Sequence, residues 1–84
     1  MKLFQINECA WFAGHSLEEC IEEANINYDE QPNPDELCEL TPEDMERLTF
    51  FDEDTNEKMT FAEQLSRMIA KGEKFPTLFA HTEC

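Results

Sequence analysis

Apolar and polar residues alternate from Leu3 to Asn7, with Leu3 and Gln5 on one side and Phe4 and Ile6 on the other. A period of two predicts a β-strand, buried on its Phe4/Ile6 face. Ala10-Trp11-Phe12-Ala13 extends that strand or forms a second one, with Trp11 in the core, and Gly14-His15 ends it. The period then changes. Leu17, Cys20, Ile21 and Ala24 recur at helical spacing, which predicts a helix from Leu17 to Ile26. Ser16 and Glu19 form a capping box at its start. The Ser16 hydroxyl accepts from the Glu19 N–H, and the Glu19 carboxylate reaches back to the Ser16 N–H. Tyr28 to Leu40 contains Pro32, Pro34 and five acids, so it reads as a loop that Leu37 tacks to the core.

Thr41-Pro42 starts a second, short helix, with Thr41 as N-cap, Pro42 at the first helical position, and Leu40 and Met45 spaced for a hydrophobic staple. It ends near Leu48. Leu48-Thr49-Phe50-Phe51 reads as a strand, Asp52 to Glu57 as a turn, and Lys58-Met59 as the start of a return. A capping box at Thr60 and Glu63 opens a third helix with Phe61, Leu65, Met68 and Ile69 on one stripe, and Gly72 closes it. Phe75 to Ala80 is a last strand, whose Pro76 suits a sheet edge or a strand start. The expected fold is a single α+β domain over residues 1–84. It has a small antiparallel sheet of three to four short strands and two to three helices.

Composition supports a folded chain. Hydrophobic residues make up 40% of the 84, including seven Phe, too many for a disordered acidic tail. No apolar run is long enough for a membrane span, and the N-terminus lacks the apolar stretch of a signal peptide. The expected location is the cytoplasm, with Cys9, Cys20, Cys38 and Cys84 as reduced thiols.

Charge changes the picture most. Twenty acids stand against six bases, a net charge of -14. Between Lys2 and Arg47 there are thirteen acids and no base. Such a chain repels phosphates, which argues against direct binding of nucleic acid or anionic lipid and favours a basic protein surface as partner. Glu18, Glu19, Glu22 and Glu23 fall on the polar face of the first helix, and Asp29, Glu30, Asp35 and Glu36 in the loop after it form a second patch. The structural reading is a solvated surface. The functional reading is a phosphate mimic, because duplex DNA carries one charge per roughly 1.7 Å of axis and a rigid acidic helix can approach that density. The pairs Glu18/Glu22 and Glu19/Glu23 each cost the helix roughly a few tenths of a kcal/mol, so their placement calls for a reason.

Other chemistry is sparser. Asp52, Asp54, Asn56, Thr60 and Glu63 occupy positions 1, 3, 5, 9 and 12 of an EF-hand-like calcium loop, although Glu57 stands where that loop needs Gly. The alternative reading of this segment is a solvated hairpin turn followed by a helix cap. The candidate zinc ligands Cys9, His15, Cys20, Cys38, His81 and Cys84 lack a Cys-x₂-Cys pair. There is no Gly-rich phosphate loop, and neither His15 nor His81 flanks a nucleophile motif. The expectation is a non-enzyme without a cofactor.

Three stretches carry a resemblance: Trp11 to Glu19, the helix start Leu40-Thr41-Pro42-Glu43-Asp44, and Thr60-Phe61 through Phe75 to Ala80. In these the chain resembles small acidic proteins of unassigned function encoded by bacteriophages and prophages. In size and charge it is similar to their anti-CRISPR and anti-restriction inhibitors. That resemblance implies a nucleic-acid mimic that binds a CRISPR effector or restriction enzyme in the cytoplasm of a bacterial host. It assigns no residue a role.

Overall fold

The N-terminal alternation folds as strand β1 (Lys2–Asn7) in the computed structural model, which describes residues 1–52 and 56–81. β2 (Ala10–Gly14) returns antiparallel to it, with Phe4 opposite Phe12 and Leu3 opposite Ala13. The Asn7 side-chain oxygen accepts from the Cys9 N–H at 2.8 Å, an Asx turn that reverses the chain. The remaining elements are α1 (Leu17–Asn27), β3 (Cys38–Glu39), α2 (Pro42–Arg47), β4 (Thr49–Asp52), β5 (Glu57–Thr60), α3 (Phe61–Ala70) and β6 (Thr77–His81). Helices and antiparallel sheets make this an α+β fold. No helix among the described residues is long and apolar enough to cross a membrane.

The chain divides into two compact units, Met1–Leu40 with Lys74–Cys84, and Thr41–Glu73. The first holds an antiparallel sheet in the order β3-β1-β2-β6, with β6 at an edge as Pro76 suggested. Phe4, Ile6, Ala10 and Phe12 from the sheet meet Cys20 and Ala24 from α1 in one buried cluster, and Leu37 packs against it. Leu37 therefore does tack the loop down. That loop is not featureless, since Cys38 and Glu39 pair with Gln5 and Phe4 as β3. Leu3 also departs from expectation. It is fully buried, like its cross-strand partner Ala13, so β1 loses water on both faces and not on the Phe4/Ile6 face alone. Trp11 is only half-buried.

In the second unit, β4 and β5 form a hairpin with Asp52 opposite Glu57. Asn56 turns the chain with φ 60, a left-handed conformation that Asn tolerates. Thr41 caps α2 more fully than expected, because the Asp44 carboxylate returns the bond by accepting from the Thr41 N–H at 3.1 Å. α3 buries Phe61, Leu65 and Met68, while Ile69, expected on the same stripe, is 49% exposed. Gly72 (φ 75) ends α3 in a Schellman motif, with Gly72 N–H donating to Ile69 and Glu73 N–H to Met68.

Cysteine chemistry departs from the expectation of four thiols. Cys9, in the β1–β2 turn, is disulfide-bonded. Cys20 and Cys38 are free thiols, the first buried and the second exposed.

Candidate functional site

α1 begins where its sequence says it should. Ser16 is extended, and its hydroxyl accepts from the Glu19 N–H at 3.3 Å. The reciprocal bond moves by one residue. The Glu19 carboxylate takes the His15 N–H in a short contact, and the His15 ring lies 3.3 Å from the same oxygen. Gly14 makes this possible. A Cβ there would stand 2.6 Å from the Cys20 sulfur, 2.9 Å from the Glu19 carboxylate and 3.2 Å from Pro76. The helix start thus packs against the residue that leads into β6.

That packing creates a cleft. Glu19, Glu22, Glu23, Ile26 and Pro76 line a volume of about 240 Å³. Three of the four acids predicted on the first helix share this one feature. Glu19 is tied to His15, and Glu23 accepts a short bond from the Asn27 amide. Among the described residues, Glu22 and the neighbouring Glu18 have no hydrogen-bond or ion-pair partner. Ile26 is 69% exposed, more than any other large apolar side chain described, and with Pro76 supplies the apolar part of the lining. Neither Ile26 nor Pro76 was legible as a site residue. Ile26 follows Glu22 by one helical turn, which is the one signal that could have marked it; Pro76 arrives from the far end of the chain.

The second patch divides. Asp29 is exposed, with φ 53, and turns the chain out of α1. Asp35 and Glu36 sit in a turn organised by Asn33, whose side chain takes the Asp35 N–H and whose carbonyl takes those of Glu36 and Leu37. Glu30 is committed elsewhere. Its carboxylate accepts from the Asn7 amide at 3.0 Å and lies 2.9 Å from the His81 ring nitrogen. It holds this segment to the sheet.

The calcium-type spacing falls on the β4–β5 hairpin and the start of α3. The Asp52 backbone pairs across the hairpin with Glu57, and Asp54 lies outside the described residues. The Thr60 hydroxyl accepts from the Glu63 N–H at 3.2 Å, the capping arrangement. No group of three His, Cys, Asp or Glu is placed to hold a metal ion among the described residues.

Electrostatics separate the roles of these groups. The bond from the His15 N–H holds the Glu19 carboxyl below its ordinary 4.5, helped by the His15 charge and the Ser16 backbone. Burial, together with the neighbouring charges of Glu19 and Glu23, pushes the Cys20 thiol up to about 12. Cys20 therefore stays protonated and is a core residue, since nucleophilic chemistry needs the thiolate. For Glu19 the sign follows from the lowered value. Its stabilising effect is present above pH 4.5 and is lost as pH falls through its lower folded value. Wild-type protein is therefore expected to be more stable than Glu19→Gln at neutral pH, with the gap closing in acid. Urea titrations of both proteins across that range check this. The difference between them is the readout, because protonating the other carboxylates also relieves repulsion across the whole chain.

No protein-family model, curated protein or solved structure matches the chain.

Proposed function

We propose that this protein is a non-enzymatic binding module that occupies a basic, nucleic-acid-binding surface of a bacterial defence protein in place of the nucleic acid. A CRISPR effector or a restriction enzyme is the expected class of partner. A phage origin and action in the cytoplasm of the bacterial host belong to the same proposal. The observation that carries the reading is the α1 cleft. Three carboxylates surround an opening of about 240 Å³ on a helix that carries no base. That volume lies below the roughly 300–1,000 Å³ of small-molecule sites, so it suits one side chain of a partner better than a metabolite.

Arginine fits best. Its guanidinium donates in a planar fork that matches carboxylates, and its alkyl stem can lie along Ile26 and Pro76. Surfaces that bind DNA hold such arginines ready for phosphate oxygens. Carboxylates at helical spacing would meet them instead, and the net charge of -14 would speed the encounter. The like-charge pairs along α1 are then a small stability cost retained for binding.

The test is capture from bacterial lysate by immobilised protein at low and high salt, with duplex DNA or guide RNA as competitor. The expected result is salt-sensitive capture of a nucleic-acid-binding protein that the nucleic acid displaces. Capture that ignores the competitor, or basic proteins taken indiscriminately, would overturn the reading.

A further inference from the structure

β6 closes one side of the first unit's sheet. Among the described residues it pairs with β2 alone, so its other side is a sheet edge. Edge strands present backbone N–H and C=O groups that another chain can pair with, and folded proteins guard them with charged side chains, proline or bulges. The guard on β6 is partial. Pro76 stands just before the strand, and a register shift interrupts its pairing with β2 between Trp11 and Phe12. Charged guards are missing, since Phe75 to Thr82 contains no acid, lysine or arginine. What keeps a second copy away is the net charge of -14, which makes copies repel. The same charge draws in a basic chain.

This edge is continuous with the α1 cleft. Pro76 lines the cleft beside Glu19, Glu22, Glu23 and Ile26, and the next residue, Thr77, begins β6. At the other end of the strand the Glu30 carboxylate lies 2.9 Å from the His81 ring nitrogen. A strand of five residues without an acid therefore has carboxylates at both ends, and it runs for about 17 Å at roughly 3.4 Å per residue.

We propose that β6 is the docking edge of this protein, to which an extended, arginine-bearing segment of the partner adds as a further strand, placing one arginine in the α1 cleft. This rests on the function proposed above and goes beyond it by naming the form of the partner. Backbone hydrogen bonds along an edge give affinity whatever the sequence, and a pocket beside the edge gives specificity. Charge complementarity selects the occupant. Successive side chains of a strand alternate between faces, so bases at every second position of the added segment all lie on one face of the sheet. On the face that carries α1, the first of them meets Glu19, Glu22 and Glu23, while its alkyl stem lies on Ile26 and Pro76.

The probe is a capped peptide of alternating arginine and threonine, as long as β6. Titration calorimetry on the full chain compares it with two versions N-methylated at every second backbone nitrogen, in one phase or the other. All three carry the same charge. One phase removes the donors that face β6 and is expected to bind about ten-fold more weakly, the loss of two or three net hydrogen bonds, while the other binds like the parent. Amide hydrogen exchange at saturating peptide is expected to show new protection in β6 and none in β4 or β5. Glu22→Gln is expected to weaken the parent peptide roughly three-fold, as for one exposed charge pair, with the difference between the two phases retained. Equal affinity of all three peptides, or unchanged exchange in β6, would overturn strand addition. Unchanged affinity in Glu22→Gln would overturn the arginine's place in the cleft. Strand addition by a protein whose capture from lysate ignores nucleic acid would overturn the mimic reading and leave the docking edge intact, and the opposite pair of results would do the reverse.

Discussion

Phe12→Ala is expected to lower the unfolding free energy by about 3–5 kcal/mol, the range for truncating a core Phe. Phe12 is fully buried at the centre of the first unit. It stands opposite Phe4 on one neighbouring strand and Leu78 on the other. Its ring meets Tyr28 edge-on, with centroids 5.3 Å apart and planes at 76°. A chain of this length has only about 4–13 kcal/mol of stability in total. The substitution therefore removes roughly a quarter of the largest margin and most or all of the smallest. Urea unfolding followed by far-UV circular dichroism measures it. Phe51→Ala is the control, since Phe51 is 55% exposed and its loss should cost no more than about 0.5 kcal/mol. If the two substitutions cost the same, the cluster around Phe12 is not the core.

Reversing Glu18, Glu22 and Glu23 to Lys is expected to weaken binding to the captured basic partner by about 100-fold or more at low salt, and by less at high salt. Glu19 is left in place because its carboxylate secures the helix start, so changing it would confuse binding with folding. A companion substitution separates a diffuse field from a shaped cleft. Ile26→Glu adds an acid to the most exposed apolar position described on α1. If only the field matters, affinity stays the same or rises. If a partner's alkyl stem lies on Ile26, affinity falls by roughly ten-fold, which is the loss of about 1.4 kcal/mol of apolar contact. Titration calorimetry at two salt concentrations reads both variants. Unchanged affinity in the triple reversal would sink the mimic reading outright.

What could be read from sequence was what is local. Ser16, Thr41 and Thr60 marked the starts of α1, α2 and α3 because a cap is settled within four residues. Alternation marked β1, and Cys20 was recognised as a buried thiol on the helix stripe. Non-local features stayed hidden. β3 is two residues long, too short to show a period, and exists only because β1 pairs with it. Glu30 looked like one more surface acid, since its partners Asn7 and His81 lie 23 and 51 residues away. The cleft needs Pro76, which the sequence offered only as an edge-strand proline. Counting acids identified the charged helix. It could not separate Glu22, which lines the cleft without a partner among the described residues, from Glu19 and Glu30, whose carboxylates are already engaged.

The sheet of the first unit joins strands far apart in sequence, and this bears on how the protein is made. β2 gains its second neighbour only when Thr77–His81 has been synthesised. Until then Ala10-Trp11-Phe12-Ala13-Gly14, a stretch with no charge, stands as an open edge. A chain stopped after Gly72 would keep the helices and the hairpin and never cover that edge. Uncovered apolar strands recruit their like, so copies of this strongly acidic chain that lack β6 are the ones that would aggregate.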